Sequence, residues 1–371
     1  MEFLADFGLF LLKSITIVAA ILIVIGGIVN SSQRNRTNKI KGQAQGEIQL
    51  TNLSERYRDM VQDMQHALLS RFEAKELNKA EKKADKLKTK EDKKRAKALK
   101  QSVPDNTEDS EKLAEKAEDA HKRLFVIDFD GDIKASEVDS LREEISAIIA
   151  IAGKQDAVLL RLESPGGMVH SYGLAASQLQ RLRDKDIQLT IAVDKVAASG
   201  GYMMACVANK IVAAPFAIIG SIGVIAQIPN FNKLMKKMDI DYEQHTAGEY
   251  KRTLTVFGEN TEQDREKFRE ELEDTHQLFK AFIHDNRPEL DVESVATGEH
   301  WYGTQAIEKG LIDEISTSDD LIIKAVKDCE VFEVSFEIPK SFGEKIGLNV
   351  EAAFNRFVLS WWSRSTQEPK L

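Results

Sequence analysis

DAVLLRLESPGG, residues 156–167, is an apolar run that ends in a Pro-Gly-Gly turn. A short apolar segment bounded by turn residues reads as a buried strand. Upstream, LFVIDFDGDI (124–133) reads as a second strand closing on an acidic Gly turn. Between them, SEVDSLREEISAIIAIAG (136–153) sets Val138, Leu141, Ile145, Ile148 and Ile149 on one helical face and stops at Gly153. Downstream, a helix over about 170–184 leads into the strand IQLTIAVD (187–194). VAASGGYMMACVA, KIVAA and the Gly-punctuated strands of IIGSIGVIAQ (218–227) follow. A long helix from Thr261 to about His284, the stretch WYGTQAIEKGLIDEI (301–315) and a helix over 318–329 complete the pattern. Strand–helix alternation of this kind predicts an α/β layered domain. No internal repeat is visible, so the body is one unit.

The rest of the 371 residues sits around that core. Residues 8–29 carry one charge, Lys13, and would span about 33 Å as a helix against a hydrocarbon core of about 30 Å. An acidic start (Glu2, Asp6) and the poor cleavage site NSSQRNR favour a retained single-pass transmembrane helix over a cleaved signal peptide. Arg34, Arg36, Lys39 and Lys41 just after the span put the body on the cytoplasmic side by the positive-inside rule. Residues 42–72 read as an amphipathic helix, 71–100 as a Lys-rich charged helix or tether with a lipid-binding polybasic patch as the alternative, and 101–112 as a linker. Phe354, Phe357, Val358, Trp361 and Trp362 form a helical stripe in 341–364, suited to packing on the body or a neighbouring protomer, or to the bilayer interface. The expected divisions are an anchor (1–30), a charged tether (31–122), a catalytic-type α/β domain (123–333) and an amphipathic extension (334–371).

Composition removes several functions. A net charge of -9 argues against a nucleic-acid partner. Cys206 and Cys329 are expected as free thiols, and the seven histidines form no HxxxH or HxH pair. With no CxxC either, neither a metal nor any other cofactor is expected.

The chemistry concentrates at Ala197-Ala198-Ser199-Gly200-Gly201-Tyr202, directly after a strand. Ser199 near a helix start would have unpaired N–H donors beside it, which favour a developing oxyanion. An ordinary Ser N-cap in a Gly-rich turn is the plain alternative. The Pro165-Gly166-Gly167 turn can present a backbone N–H, so Gly167 and Gly200 make a plausible two-donor oxyanion hole. A serine nucleophile needs a base. His170 lies three residues past the turn, yet no Asp or Glu has a claim to orient it. Lys251 in TAGEYKRT competes, provided burial against LTVF lowers its pKa from about 10.4 to roughly 7–8, a cost of about 3–4 kcal/mol. Ser221 in Gly220-Ser221-Ile222-Gly223 could hold the neutral amine; a surface lysine is the plain reading of Lys251.

LESPGG (162–167), DKVAASGGYMMA (194–205), GSIGVIAQ (220–227), TAGEYKRTLT (246–255) and WYGTQAIEKGLID occur together in this order. Over about Phe125 to Ile323 the chain resembles the signal peptide peptidase A family. That resemblance implies a ClpP/crotonase-like fold and a serine endopeptidase of the bacterial inner membrane. It implies Ser199 as nucleophile, Lys251 as general base and Gly167 and Gly200 as oxyanion donors, with Ser221 carried over less securely. It implies a ring-shaped homo-oligomer whose dyads are completed between neighbours, and small apolar peptides such as residual signal peptides as substrates. It also implies an outward-facing body, opposite to the flanking charges. A membrane scaffold on the same fold and a crotonase-like acyl-CoA enzyme are the rival functions, the latter without an obvious adenine or phosphate cradle.

Overall fold

The computed structural model describes residues 46–69, 90, 122–248 and 250–338. The expected span (8–29), the Lys-rich segment (71–100, apart from Lys90), the linker (101–112) and the Trp-containing stripe (341–364) lie outside the described residues. Among the described residues no helix is long and apolar enough to cross a membrane. Residues Ile48–Phe336 form one compact unit. The fold below is that of this unit.

In chain order the elements are β1 (Glu47–Asn52), α1 (Leu53–Leu68), β2 (Arg123–Asp130), α2 (Val138–Ile151), β3 (Ala157–Glu163), α3 (Val169–Arg183), β4 (Gln188–Val193), β5 (Val196–Ala198) and α4 (Gly200–Ala205). There follow β6 (Lys210–Ala213), β7 (Ile218–Gly220), α5 (Asn232–Lys237), α6 (Glu262–Asn286), α7 (Val292–Val295), β8 (His300–Tyr302), α8 (Gly303–Ala306), β9 (Glu314–Ile315), α9 (Ser318–Asp328) and β10 (Glu330–Glu337).

Seven strands form one sheet in the order β1-β10-β2-β3-β4-β6-β9. From β10 to β9 the pairings are parallel. Parallel strands need covered faces, and the side-chain period of two divides their apolar residues between two cores. Phe125, Ile127 and Phe129 of β2, Val158, Leu160 and Leu162 of β3, and Leu189, Ile191 and Val193 of β4 join one core, with Leu141, Ile145 and Ile148 of α2 and Leu179 and Leu182 of α3. Val126, Leu159, Ala192 and Val331 point the other way, onto Leu53 of α1 and Ile322 of α9. The result is the α/β layered architecture the alternation predicts.

A second sheet, β5-β7-β8, carries the Ser-Gly-Gly segment. β5 and β7 are parallel, and β7 and β8 antiparallel. A single bridge, Ser164 to Ala197, ties the end of β3 to β5. Only 218–220 of the apolar run 218–227 is strand. Its two pairing registers end at Gly220, although the β8 side continues briefly: Ser221 N–H donates to Glu299 O at 2.7 Å and Gly298 N–H donates to Ile222 O at 3.0 Å.

Two findings differ from the sequence reading. The segment 42–72 contains a strand as well as a helix: residues 47–52 enter the sheet and Asn52 caps α1 through Glu55 N–H at 2.9 Å. After Val334 the chain continues as strand to Glu337, in the strand that lies between β1 and β2, and Phe336 N–H donates to Glu144 Oε1 at 2.8 Å.

Candidate active site

The site forms where β3 and β5 end side by side. Ser164 N–H donates to Val196 O at 2.8 Å and Ala198 N–H donates to Ser164 O at 3.0 Å. These two bonds bring the Pro-Gly-Gly turn and Ser199 to the same edge. Ser199 N–H donates to Gly220 O at 2.8 Å, extending the β5–β7 ladder one residue past Ala198. That bond sets Ser199 beside Ser221.

Ser199 has φ 52° and ψ -116°, a conformation that L-residues avoid, and so does Ser221, with φ 52°. Each such residue costs on the order of 1–3 kcal/mol and persists only where the surroundings impose it. For Ser199 they do. Its N–H is fixed by Gly220 and its carbonyl accepts from Met203 N–H at 3.0 Å as α4 begins. Its hydroxyl makes no cap bond, so the side chain is left free at the helix start.

Gly166, with φ +88°, packs directly on this peptide. A Cβ there would lie 2.7 Å from Ala198 O and 2.8 Å from both Gly200 N and Ser199 Cβ. Only glycine fits on both counts. The turn is therefore seated on the Ser199–Gly200 peptide. Among the described residues neither Gly167 N–H nor Gly200 N–H has a protein acceptor. Donors held without an acceptor beside a free serine hydroxyl can stabilise charge on a carbonyl oxygen.

The structure thus brings together Ser199, Gly200, Ser221 and, through Gly166, Gly167. Lys251 stands apart. It is exposed in an irregular turn, and its side chain has no hydrogen bond or ion pair with Ser199, Ser221 or any other described residue. The wall expected from LTVF is incomplete, because Leu254, Thr255 and Val256 are half-buried and Phe257 is exposed. His170 is exposed at the start of α3 and has no carboxylate partner among the described residues. Cys206 is a buried free thiol and Cys329 a half-buried one. Burial pushes the Cys206 thiol up to about 12, which keeps it protonated. Among the described residues no group of His, Cys, Asp and Glu could hold a metal ion.

Sequence reasoning missed two residues behind the turn. Ser164 and Tyr172 are both fully buried, and their hydroxyls meet at 2.6 Å. Ser164 was visible only as part of the turn motif. A buried Tyr hydroxyl needs a partner, but sequence alone does not say that Tyr172 is buried.

Residues 2–179 match the N-terminal region of peptidase family S49 and residues 181–331 match the peptidase family S49 domain. The chain belongs to peptidase family S49, and it is a peptidase of the kind named signal peptide peptidase A. Its relatives include the probable protease SohB of Haemophilus influenzae, 52% identical over 94% of each chain. The probable protease SohB of Buchnera aphidicola subsp. Schlechtendalia chinensis is 50% identical over 87% of this chain and 99% of its own. Among solved structures, a membrane-bound stomatin-specific protease covers 62% of this chain and 98% of its own at 16% identity, with a TM-score of 0.37, too loose a likeness to bear on the site.

Proposed function

We propose that this peptidase is a membrane-anchored serine endopeptidase in which Ser199 attacks the scissile carbonyl, Lys251 acts as general base, and Gly167 and Gly200 N–H groups bind the oxyanion. The observation that carries the reading is the strained Ser199, with its hydroxyl unengaged and two acceptor-free N–H groups held at the same edge. Ser221, beside Ser199 across the β5–β7 ladder, is the hydroxyl available to orient the lysine amine.

The exposure of Lys251 favours completion of the dyad between neighbouring copies. The 216–257 segment that carries it is rich in exposed apolar side chains, among them Phe216, Ile225, Leu234, Met238 and Tyr250. Such surface is usual where another chain packs. Contact with a neighbour would strip water from Lys251, as a general base requires. A ring-shaped homo-oligomer anchored through residues 8–29 in the bacterial inner membrane fits this picture. Its substrates would be small apolar peptides, such as residual signal peptides or membrane-protein fragments.

Intact-mass measurement after treatment with a serine-reactive peptidyl phosphonate tests the nucleophile. One adduct per chain, absent in Ser199→Ala, is expected; unchanged labelling of that variant sinks the assignment. Ser199→Ala and Lys251→Ala should each abolish peptide hydrolysis. Mixing the two chains during assembly should restore part of it if the dyad is shared. A scaffold without activity would give no adduct at all. For orientation, alkaline phosphatase fused to the C-terminus reports the side of the body. High activity would place it in the periplasm, as the resemblance implies, and low activity in the cytoplasm, as the flanking charges imply.

A further inference from the structure

Behind the Pro-Gly-Gly turn runs a buried chain of hydroxyls. Tyr172 OH donates to Asp132 O at 2.8 Å, and its oxygen lies 2.6 Å from Ser164 Oγ. A phenol has one proton, so the Ser164 hydroxyl must donate to Tyr172. Ser164 Oγ in turn accepts from Gly166 N–H at 3.1 Å. Every proton in the series has a single place to go. Burial raises the Tyr172 pKa, so the phenol remains a donor.

The same tyrosine touches the other half of the site. A Cβ at Gly200 would lie 2.4 Å from Tyr172 Cγ, so the ring face is packed directly under Gly200. Its anchor is also shared, because Ile133, next to Asp132, accepts from Met168 N–H at 2.8 Å, immediately after Gly167. One side chain therefore bears on the Ser199–Gly200 peptide by its ring and, through Ser164, on the Pro165–Gly166 peptide one residue before Gly167 by its hydroxyl.

We propose that Tyr172, acting through Ser164, is a positioning residue that fixes the separation of the Gly167 and Gly200 N–H donors. The proposal rests on the reading of those groups as the oxyanion hole of Ser199. A core tyrosine with no such role would support folding only. The two cases differ in what each folded molecule can do. Misplaced donors weaken binding of the tetrahedral species and leave ground-state peptide binding alone.

The experiment uses the full-length chain, with Tyr172→Phe, which keeps the ring, and Ser164→Ala, which removes the middle hydroxyl. Active sites are first counted with the phosphonate, and kcat is expressed per counted site. Both variants are expected to lose roughly 10- to 100-fold in kcat, with KM within about twofold of the original chain. Affinity for a peptide boronate, which forms a tetrahedral adduct, should fall by the same factor as kcat/KM. The double variant should lose no more than the worse single one, since both cut the same series. Unchanged kcat per counted site in both variants overturns the proposal, as does a deficit accounted for wholly by fewer sites. Failure of the unsubstituted chain to form any Ser199 adduct overturns the oxyanion-hole reading itself, and this proposal with it.

Discussion

Gly166 lies against the Ser199–Gly200 peptide with φ +88°, so a side chain there meets both backbone strain and an occupied space. Gly166→Ala must push the turn off the serine or twist it. We expect at least a 100-fold loss of phosphonate labelling at Ser199, with the fold retained by circular dichroism; labelling within threefold of the original would refute the tight seating. Glu144 gives a prediction of another kind. It is buried in α2, with Oε1 accepting from Phe336 N–H and Oε2 without a partner among the described residues. Burial pushes its carboxyl from 4.5 up to about 7. The folded chain then holds a proton that the unfolded chain has released. The stability this contributes is complete below pH 4.5 and lost as the pH rises through 7, amounting to up to about 3 kcal/mol. Glu144→Gln should flatten that part of the stability–pH curve between about pH 4.5 and 7.5. Parallel curves for the two proteins in urea would contradict it.

At the scale of elements, α6 begins with a capping box. Thr261 accepts from Asp264 N–H, and the Asp264 carboxylate accepts from Thr261 N–H at 2.8 Å. Thr261→Ala should cost about 1 kcal/mol, seen as a fall of about 2–4 °C in Tm. No change would mean that packing of Phe279 and Ile283 alone fixes the helix. The elements also show what sequence can and cannot reveal. The core strands were legible because each is a compact apolar run bounded by turn residues, and the main helices because their apolar residues repeat on one face. β1 was not, since EIQLTN is short, with only Ile48 and Leu50 apolar and both exposed, and it pairs at the sheet edge beside β10. Ser199 had a local signature, a small-residue turn before an apolar helix. Lys251 had none, and in this chain its surroundings are water and an irregular turn. A residue completed by a neighbour, as proposed for Lys251, would leave no trace in its own local pattern.

On the scale of the whole molecule, the exposed apolar side chains bear on assembly. Phe216 is 82% exposed and Ile225 79% exposed, which is costly for a chain that stays alone in water. Ile225→Glu combined with Leu234→Glu should shift the detergent-solubilised protein to smaller mass by analytical ultracentrifugation. Peptide hydrolysis should fall with it, while far-ultraviolet circular dichroism stays the same. Loss of mass with full activity would detach catalysis from the oligomer; unchanged mass would show that another surface holds the copies together.

The order of strands has a consequence for how such an enzyme is made. β10 lies between β1 and β2, and Val331 N–H bonds to Ser54 Oγ across 277 residues of chain. During synthesis, β1 and α1 emerge early and wait for a partner that is translated almost at the end of the described fold. β2, whose far end leads to the Asp132 carbonyl behind the active-site turn, has an open edge for the same interval. A ribosome still working on this message carries a peptidase with its sheet unclosed. The sheet can close only once β10 has been made, close to the end of the described fold.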